Sequence, residues 1–175
     1  MKKREKTEHP SWEETFMQLA VDSSLRSHCE YVCVGAVIAN AEKGHEMVLT
    51  TGYNGPPRSI AHCDEVGCSR RDQKGSKIPG RLCVGAHAEI NSIANAAKAG
   101  IIIDGGALFV TLSPCFECAK HIINSGIKEV VYLRLYSDIF PDKKKEEEMA
   151  IELLRQAGRN CRLFKGKVRF ETKPE

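Results

Sequence analysis

The residues of this chain best suited to chemistry are a histidine, two cysteines and a glutamate. His87 and Glu89 lie two positions apart, and Cys115 and Cys118 form a C-x-x-C pair that follows Pro114. One imidazole and two thiolates give a zinc ion three ligands and leave the fourth tetrahedral position open for water, as in catalytic zinc sites. Glu89 can carry protons to and from that water without binding the metal. The four residues therefore predict a catalytic site with one Zn²⁺ per subunit.

The order of these residues, H-x-E followed by P-C-x-x-C, is the signature of zinc deaminases that act on nucleobases. In that chemistry water attacks an amino-bearing ring carbon, and the glutamate carries protons until ammonia leaves. A purely structural zinc site would require a fourth protein ligand. His121, three residues after Cys118, is the candidate for that ligand, and we interpret it as an ordinary helix residue. Two motifs at two predicted helix starts therefore favour an enzyme.

Further cysteines predict a second, structural zinc site. Its proposed ligands are Cys29, Cys63, Cys68 and Cys83. Four thiolates form a closed tetrahedral site, which would order the segment 54–86, an insertion rich in glycine and proline. His28 and His62 are alternative ligands, and the spacing leaves open both the ligand set and the alternative that these thiols bind no metal. Cys33 and Cys161 fall in apolar contexts and are interpreted as small core residues.

Hydrophobic periodicity predicts the helices and strands that position these residues. Trp12 begins an amphipathic helix, with Ser11 as its N-cap, that ends near 26–28. The other predicted elements are strands at 34–39 and 47–53, a helix at 86–99, a strand at 107–111, a helix at 113–125, a strand at 129–133, a helix at 141–158 and a strand at 161–164, with 167–170 as a further candidate. Strands that alternate with helices predict an α/β fold of three layers, a sheet covered by helices on both faces.

Two of these helices carry specific expectations. In the helix at 113–125, Ser113 is the predicted N-cap and Pro114 the first helical residue, so both cysteines of the motif share one face of the first turn. In the helix that begins at Pro141, the charged run 143–148 is interpreted as a solvated face. The apolar residues predicted to form the buried face of that helix are Met149, Ile151, Leu153 and Leu154.

Length and composition define the broad class of protein. The chain has 175 residues, 42% of them hydrophobic and 28% charged, with a net charge of +3, as is typical of a soluble single domain. We therefore expect a flexible basic arm at 1–10 and one domain at 11–170. No signal sequence, membrane-length apolar run or basic, aromatic-rich face is visible. These absences predict a cytoplasmic protein with no membrane partner and no stable nucleic-acid partner.

Several segments of the chain resemble the deoxycytidylate (dCMP) deaminases of the cytidine deaminase superfamily. They are Val34-Gly-Ala-Val-Ile38, Thr51-Gly-Tyr-Asn-Gly55 followed by Pro57, His62-Cys63, His87-Ala-Glu-Ile-Asn91, Thr111-Leu-Ser-Pro-Cys-Phe-Glu-Cys-Ala-Lys120 and Ser125-Gly-Ile-Lys-Glu-Val-Val-Tyr132. The resemblance extends over roughly residues 12–165. The zinc motifs are shared across the superfamily, whereas the Gly-Tyr-Asn-Gly segment with its cysteine-bearing insertion is similar to the dCMP branch.

The resemblance implies a five-stranded mixed sheet, hydrolysis of dCMP to dUMP and ammonia, and a homo-oligomer, commonly a hexamer. It implies zinc on His87, Cys115 and Cys118, Glu89 as the proton shuttle, and often a second zinc on the insertion. The substrate-binding residues that it implies are Asn54, which contacts the sugar, Ala88, Ser113 and Tyr136. Some members of the family respond to dCTP and dTTP.

A substrate such as dCMP carries a 5′-phosphate, which must meet cations or helix N–H groups. Arg58, Arg81 and Lys98 are the candidate cations. Two other functions stay open. One is the same chemistry on an adenosine of tRNA, against which the lack of a basic, aromatic-rich surface counts. The other is a non-enzymatic zinc module that mediates interactions. A small pyrimidine nucleotide is the favoured partner.

Overall fold

The structure is a computed structural model that describes residues 9–169. The predicted basic arm at 1–10 therefore lies outside the described residues except at its last two positions. The candidate strand at 167–170 ends outside them, and residues 167–169 are not in a strand. None of the helices within residues 9–169 combines the length and the hydropathy that a bilayer crossing requires.

Five helices and five strands make up the described part of the chain. The helices are α1 (Trp12–Ser24), α2 (Cys63–Val66), α3 (Ala88–Ala99), α4 (Phe116–Asn124) and α5 (Lys144–Gln156). The strands are β1 (Gly35–Asn40), β2 (Met47–Tyr53), β3 (Ala107–Leu112), β4 (Glu129–Arg134) and β5 (Asn160–Leu163). Two 3-10 helices, Tyr136–Asp138 and Pro141–Lys143, lie between β4 and α5. Their order is the predicted one, with the short α2 added inside the insertion.

The five strands form one mixed sheet with the order β2-β1-β3-β4-β5. β1 pairs antiparallel with both β2 and β3, whereas β3, β4 and β5 run parallel to one another. Parallel neighbours need crossover connections, which α4 and α5 provide. The α/β fold with a five-stranded mixed sheet is therefore confirmed.

Alternation along the strands directs side chains into two core clusters on opposite faces of the sheet. Val37 and Phe109 pack with Phe16 of α1 in the smaller cluster. Ile38 and Leu108, the neighbours of those two residues in their strands, pack with α3, α4 and α5 in the larger cluster. β3 is buried at all six positions, as expected of a central strand that is covered on both faces.

The prediction of Ser113 as the N-cap of α4, with Pro114 as its first helical residue, is wrong. The helix begins later, and Cys115 is its N-cap. Ser113 instead continues the pairing of β3 with β4, because its N–H donates to the Arg134 carbonyl at 2.9 Å. Its hydroxyl donates to the Glu147 carboxylate and is therefore not available to cap a helix. A predicted zinc ligand takes the cap position instead.

The interpretation of 143–148 as a solvated face is wrong at one position. Glu147 is only 4% exposed and forms the buried side of α5 together with Ala150 and Leu154. Met149, which was expected on the buried face, is 51% exposed. Positions 147, 150 and 154 follow the helical period, so the helix turns this glutamate and not Met149 toward the sheet.

Gly52 marks a close approach of β2 to α3, the helix that carries Glu89. A Cβ atom at Gly52 would lie 2.4 Å from the Ala88 carbonyl oxygen and 2.5 Å from the Ser92 nitrogen. We expect Gly52→Ala to lower the free energy of unfolding by about 1–3 kcal/mol, because backbone rather than a flexible side chain must move. Urea unfolding measures the change. Gly55→Ala is the control, since a Cβ there meets nothing within 4 Å, and equal stability of the two variants would contradict this packing.

Candidate active site

Three predicted ligands converge where two helices begin. His87 is the N-cap of α3, Cys115 is the N-cap of α4, and Cys118 lies in the first turn of α4. The His87 Nδ1 atom is 3.4 Å from the Cys115 sulfur and 3.3 Å from the Cys118 sulfur. The three ligand atoms all lie within 4.8 Å of one another. His121 is exposed and does not belong to this group.

These distances fit a tetrahedral zinc ion. Zinc bonds of about 2.3 Å to sulfur and 2.0 Å to nitrogen place the two ligand atoms roughly 3.5 Å apart at the tetrahedral angle. The two helix N-termini also favour thiolate ligands, because their free N–H groups and dipoles attract negative charge. Within residues 9–169 the protein gathers three ligand atoms here, which is the number typical of a catalytic zinc site.

The protonation of the three groups suits a cation. The pKa of Cys115 is lowered to about 4, because Cys118 and His87 donate hydrogen bonds to its sulfur against the opposing effect of burial. The Cys115 sulfur in turn raises the pKa of His87 to about 9 and, together with burial, raises the pKa of Cys118. His87 and Cys118 therefore hold protons beside a thiolate on Cys115. A metal ion bound to the three groups would displace those protons.

Glu89 lies in the first turn of α3, beside the three ligands but outside their group. Its side chain is almost wholly buried, at 4% exposure. Burial raises the pKa of Glu89, and the charge of His87 opposes that rise in part. The carboxyl therefore keeps its proton to a higher pH than an exposed glutamate does. This is the property required of a group that takes a proton from water and returns it later.

One cavity contains all four of the predicted substrate-binding residues. Besides His87, Glu89 and Cys115, its walls are Val34, Asn54, Ala88, Leu112, Ser113 and Tyr136. The start of β1, the end of β2 and the ends of β3 and β4 meet at this end of the sheet, where α3 also begins. The sheet topology thus brings together residues that are up to about one hundred positions apart in sequence.

The side chain of Asn54 is oriented by backbone groups in the cavity wall. Its Oδ1 accepts a hydrogen bond from the Val34 N–H at 2.7 Å, and its Nδ2 donates to the Val32 carbonyl at 2.9 Å. An amide side chain has two donor hydrogens and two acceptor lone pairs. Among residues 9–169, one donor hydrogen and one acceptor lone pair of Asn54 are therefore not used in these hydrogen bonds.

The cations predicted to bind a phosphate do not line the cavity. Arg58 donates to Asn95 Oδ1 at 3.0 Å, and together with Lys98 it borders a separate groove on the surface. Arg81 is exposed on the insertion. The sequence shows that these residues are cationic, but it does not show that the side chain of Arg58 is bound to a neighbour on α3.

Two other cations act on Tyr136 in the cavity wall. The Tyr136 ring packs against Phe140, with 4.9 Å between the ring centroids. Burial raises the pKa of Tyr136, and the positive charges of Lys143 and Arg70 oppose this rise. Arg70 belongs to the insertion. Lys143 belongs to the turn before α5, and its Nζ atom also lies 2.8 Å from the Glu146 carboxylate.

Sequence analysis also missed Glu147, whose side chain contacts two residues of the cavity wall. Its carboxylate accepts hydrogen bonds from the Tyr136 N–H at 2.7 Å and the Ser137 N–H at 3.3 Å, and from the Ser113 hydroxyl. The signal that was available is the helical spacing of Glu147 from Ala150 and Leu154. The charged residues on both sides of Glu147 concealed that signal.

The cysteines of the predicted second zinc site lie in one region of the protein. They are Cys29, Cys63, Cys68 and Cys83. Burial raises the pKa of the Cys63 thiol, and the charges of the other three thiols add to that rise. In the described part of the chain, no three of them gather within 4.8 Å of one another. Beside them the rings of His28 and His62 stack at 4.2 Å, and His28 Nδ1 lies 2.6 Å from Asp64. The second zinc stays a prediction.

Comparison with known proteins identifies relatives along most of the chain. Residues 10–134 match the family described as the cytidine and deoxycytidylate deaminase zinc-binding region. The chain is 34% identical to ComE operon protein 2 of Bacillus subtilis, over 86% of this chain and 70% of that protein. It is 37% identical to the deoxycytidylate deaminase of Homo sapiens, over 92% of this chain and 84% of that enzyme. The dCMP deaminase of cyanophage S-TIM5, solved in complex with dCMP and dUMP, superposes with a TM-score of 0.68 at 30% identity, covering 90% of this chain and 100% of that one.

Proposed function

Because this chain belongs to the cytidine and deoxycytidylate deaminase zinc-binding family, we propose that it is the member that hydrolyses dCMP to dUMP and ammonia. The observation that carries the proposal is the convergence, in one cavity, of the histidine–cysteine–cysteine ligand group, the buried Glu89 and the wall that contains Asn54 and Tyr136. The human relative is named for this reaction, and the cyanophage relative was crystallised with the corresponding substrate and product.

Glu89 moves the protons in the proposed reaction. A zinc ion held by His87, Cys115 and Cys118 would supply a water whose pKa is lowered to roughly 7. Glu89 takes one proton from this water and delivers it to the ring nitrogen beside the amino-bearing carbon, while the water oxygen bonds to that carbon. Glu89 then passes the second proton, from the new hydroxyl, to the amino group, which leaves as ammonia. Its raised pKa suits a carboxyl that must accept and donate within one cycle.

The wall residues orient the nucleotide in the proposed complex. The Ala88 N–H lies at the start of α3, where the first helical N–H groups have no partner within the helix. We assign it to an oxygen of the pyrimidine ring. The free donor and acceptor of Asn54 match a sugar hydroxyl, which both donates and accepts. Arg70 and Lys143, whose charges act on Tyr136, join Arg58, Arg81 and Lys98 as candidates for the 5′-phosphate, although Lys143 also pairs with Glu146.

We also propose a structural zinc at the insertion, with ligands drawn from Cys29, Cys63, Cys68 and Cys83. The buried Nδ1 atom of His62 has no hydrogen-bond partner among the described residues. Buried polar atoms rarely lack a partner, and a neutral imidazole nitrogen is a normal zinc ligand. His62 is therefore the alternative ligand that the structure supports best, since it adjoins Cys63. A closed site of this kind would order the segment 54–86.

Ammonia release from a panel of dCMP, CMP, deoxycytidine and dCTP tests the proposed substrate. We expect dCMP to give a kcat/KM at least about 100-fold above that of deoxycytidine, because a phosphate gains charge-assisted hydrogen bonds of about 1.5–3 kcal/mol each. A coupled assay that consumes ammonia measures the rates. Release from a tRNA adenosine but not from dCMP would overturn the substrate assignment while leaving the reaction type intact.

A further inference from the structure

Glu147 joins the ends of two strands that flank the cavity. Its side chain extends from α5, where it is 4% exposed. The Oε1 atom accepts the Ser113 hydroxyl and, at 2.7 Å, the Tyr136 N–H, and the Oε2 atom accepts the Ser137 N–H at 3.3 Å. Ser113 follows β3 and precedes the ligand Cys115 by two residues, whereas Tyr136 follows β4. One carboxylate therefore connects two walls of the cavity.

The contacts around this carboxylate form a closed network. The Tyr136 N–H also reaches the Ser113 hydroxyl oxygen at 2.8 Å, so the two wall residues contact each other as well as Glu147. Burial on its own raises the pKa of Glu147, but the hydrogen bonds from Ser113, Ser137 and Tyr136 outweigh burial and lower that pKa. Glu147 is consequently a carboxylate at neutral pH, with each oxygen accepting at least one hydrogen bond.

Burying the charge of Glu147 is unfavourable unless hydrogen bonds compensate for it. An apolar residue at position 147 would pack with Ala150 and Leu154, its neighbours on the buried side of α5. It would leave the Tyr136 and Ser137 N–H groups, at the start of a 3-10 helix, without this acceptor. The carboxylate is thus suited to holding the turn after β4, which carries a wall of the cavity.

We propose that Glu147 is a positioning residue that holds Ser113 and Tyr136 in the geometry that binds the nucleotide. This inference rests on the proposed function of the cavity. Glu147 is not in the ligand group, so we expect it to govern substrate binding and not zinc binding. It acts through the two wall residues and does not itself line the cavity.

Glu147→Gln tests this role. Glutamine keeps the size of the side chain, but its NH₂ group is a donor, and one of the two oxygens that accept N–H donors in the wild type is lost. We expect the KM for dCMP to rise about 10- to 100-fold, since misplacement by about 1 Å can have an effect of that size. We expect kcat to fall less than KM rises, and the zinc content to be unchanged. Glu148→Gln, at the next position on the exposed side of α5, is the matched control and should behave as the wild type.

Hydrogen exchange measures the anchor independently of the reaction. In Glu147→Gln at least one of the Tyr136 and Ser137 amides should exchange about 10-fold faster or more, because glutamine keeps only one of the two oxygens that accept them. In Glu148→Gln both amides should exchange at the wild-type rate. Unchanged exchange would overturn the inference, whatever the substrate. A lower melting temperature with unchanged KM and kcat would also overturn it, because Glu147 would then be structural only. Loss of zinc would overturn it too.

A wild-type enzyme that is inactive on dCMP would instead reject the proposed substrate. The KM comparison would then use the nucleotide from which the enzyme does release ammonia.

Discussion

Glu89→Gln is expected to lower kcat for dCMP about 10³-fold or more while the zinc content stays that of the wild type. Glutamine preserves the size of the side chain but does not take up or release a proton at the pH of the reaction. Zinc should stay bound because Glu89 lies outside the group of three ligand atoms. Stability should be preserved, since burial already disfavours the charge of this carboxyl. Ammonia release and atomic absorption on the same preparation measure both quantities.

Glu117→Gln is the matched control for this change. Glu117 also lies in the first turn of a helix that begins at the ligand group, but its side chain is 67% exposed and pairs with Lys120. The same substitution there should leave kcat within about twofold of the wild type, because exposed ion pairs contribute little. A fully active Glu89→Gln enzyme would remove Glu89 from the proton transfer. An inactive variant that had also lost its zinc would show that Glu89 acts on the metal site instead.

The fold was largely predictable because its signals are local. The predicted strand at 47–53 has the bounds of β2, and the predicted cap at Ser11 forms a capping box with Glu14. Period and capping depend on residues within one or two turns of each other, so a sequence displays them directly. The strand order of the sheet depends on crossovers between distant segments. Periodicity alone did not provide it, and the resemblance to a family implied only that the sheet is mixed.

The site was predictable where its residues are adjacent to helix starts and unpredictable where its contacts are long-range. His87, Cys115 and Cys118 were recognised because their spacing is short and their chemistry is narrow. The role of Glu147 depends on the direction of two backbone N–H groups in the turn after β4, which no residue type marks. The position of Arg58 outside the cavity wall was unpredictable for a similar reason, since its hydrogen bond to a neighbour on α3 is a property of the fold.

Cys118→Ser is expected to remove one zinc per chain and to lower kcat/KM about 10³-fold or more, because a catalytic zinc contributes several kcal/mol to the transition state. The serine hydroxyl is a poor replacement for the soft thiolate. Cys118 is also fully buried in the larger core cluster, so a new hydroxyl there should lower the free energy of unfolding by about 1–3 kcal/mol. The loss of activity must therefore be separated from loss of the fold.

Cys161→Ser is the control that separates loss of activity from loss of the fold. Cys161 packs against the same core cluster from β5 but is not in the ligand group. We expect this variant to lose some stability and to keep its zinc and its activity. Wild-type content of zinc in Cys118→Ser, with full activity, would remove Cys118 from the ligand set.

The number of zinc ions that each variant loses distinguishes the two proposed sites. If both sites bind metal, the wild type contains two zinc ions per chain, Cys118→Ser contains one and is inactive, and Cys63→Ser contains one and keeps the catalytic group. A wild type with one zinc, which Cys118→Ser loses and Cys63→Ser retains, would reject the structural site alone. The catalytic assignment survives that outcome, because its three ligand atoms already lie at zinc-binding distances from one another.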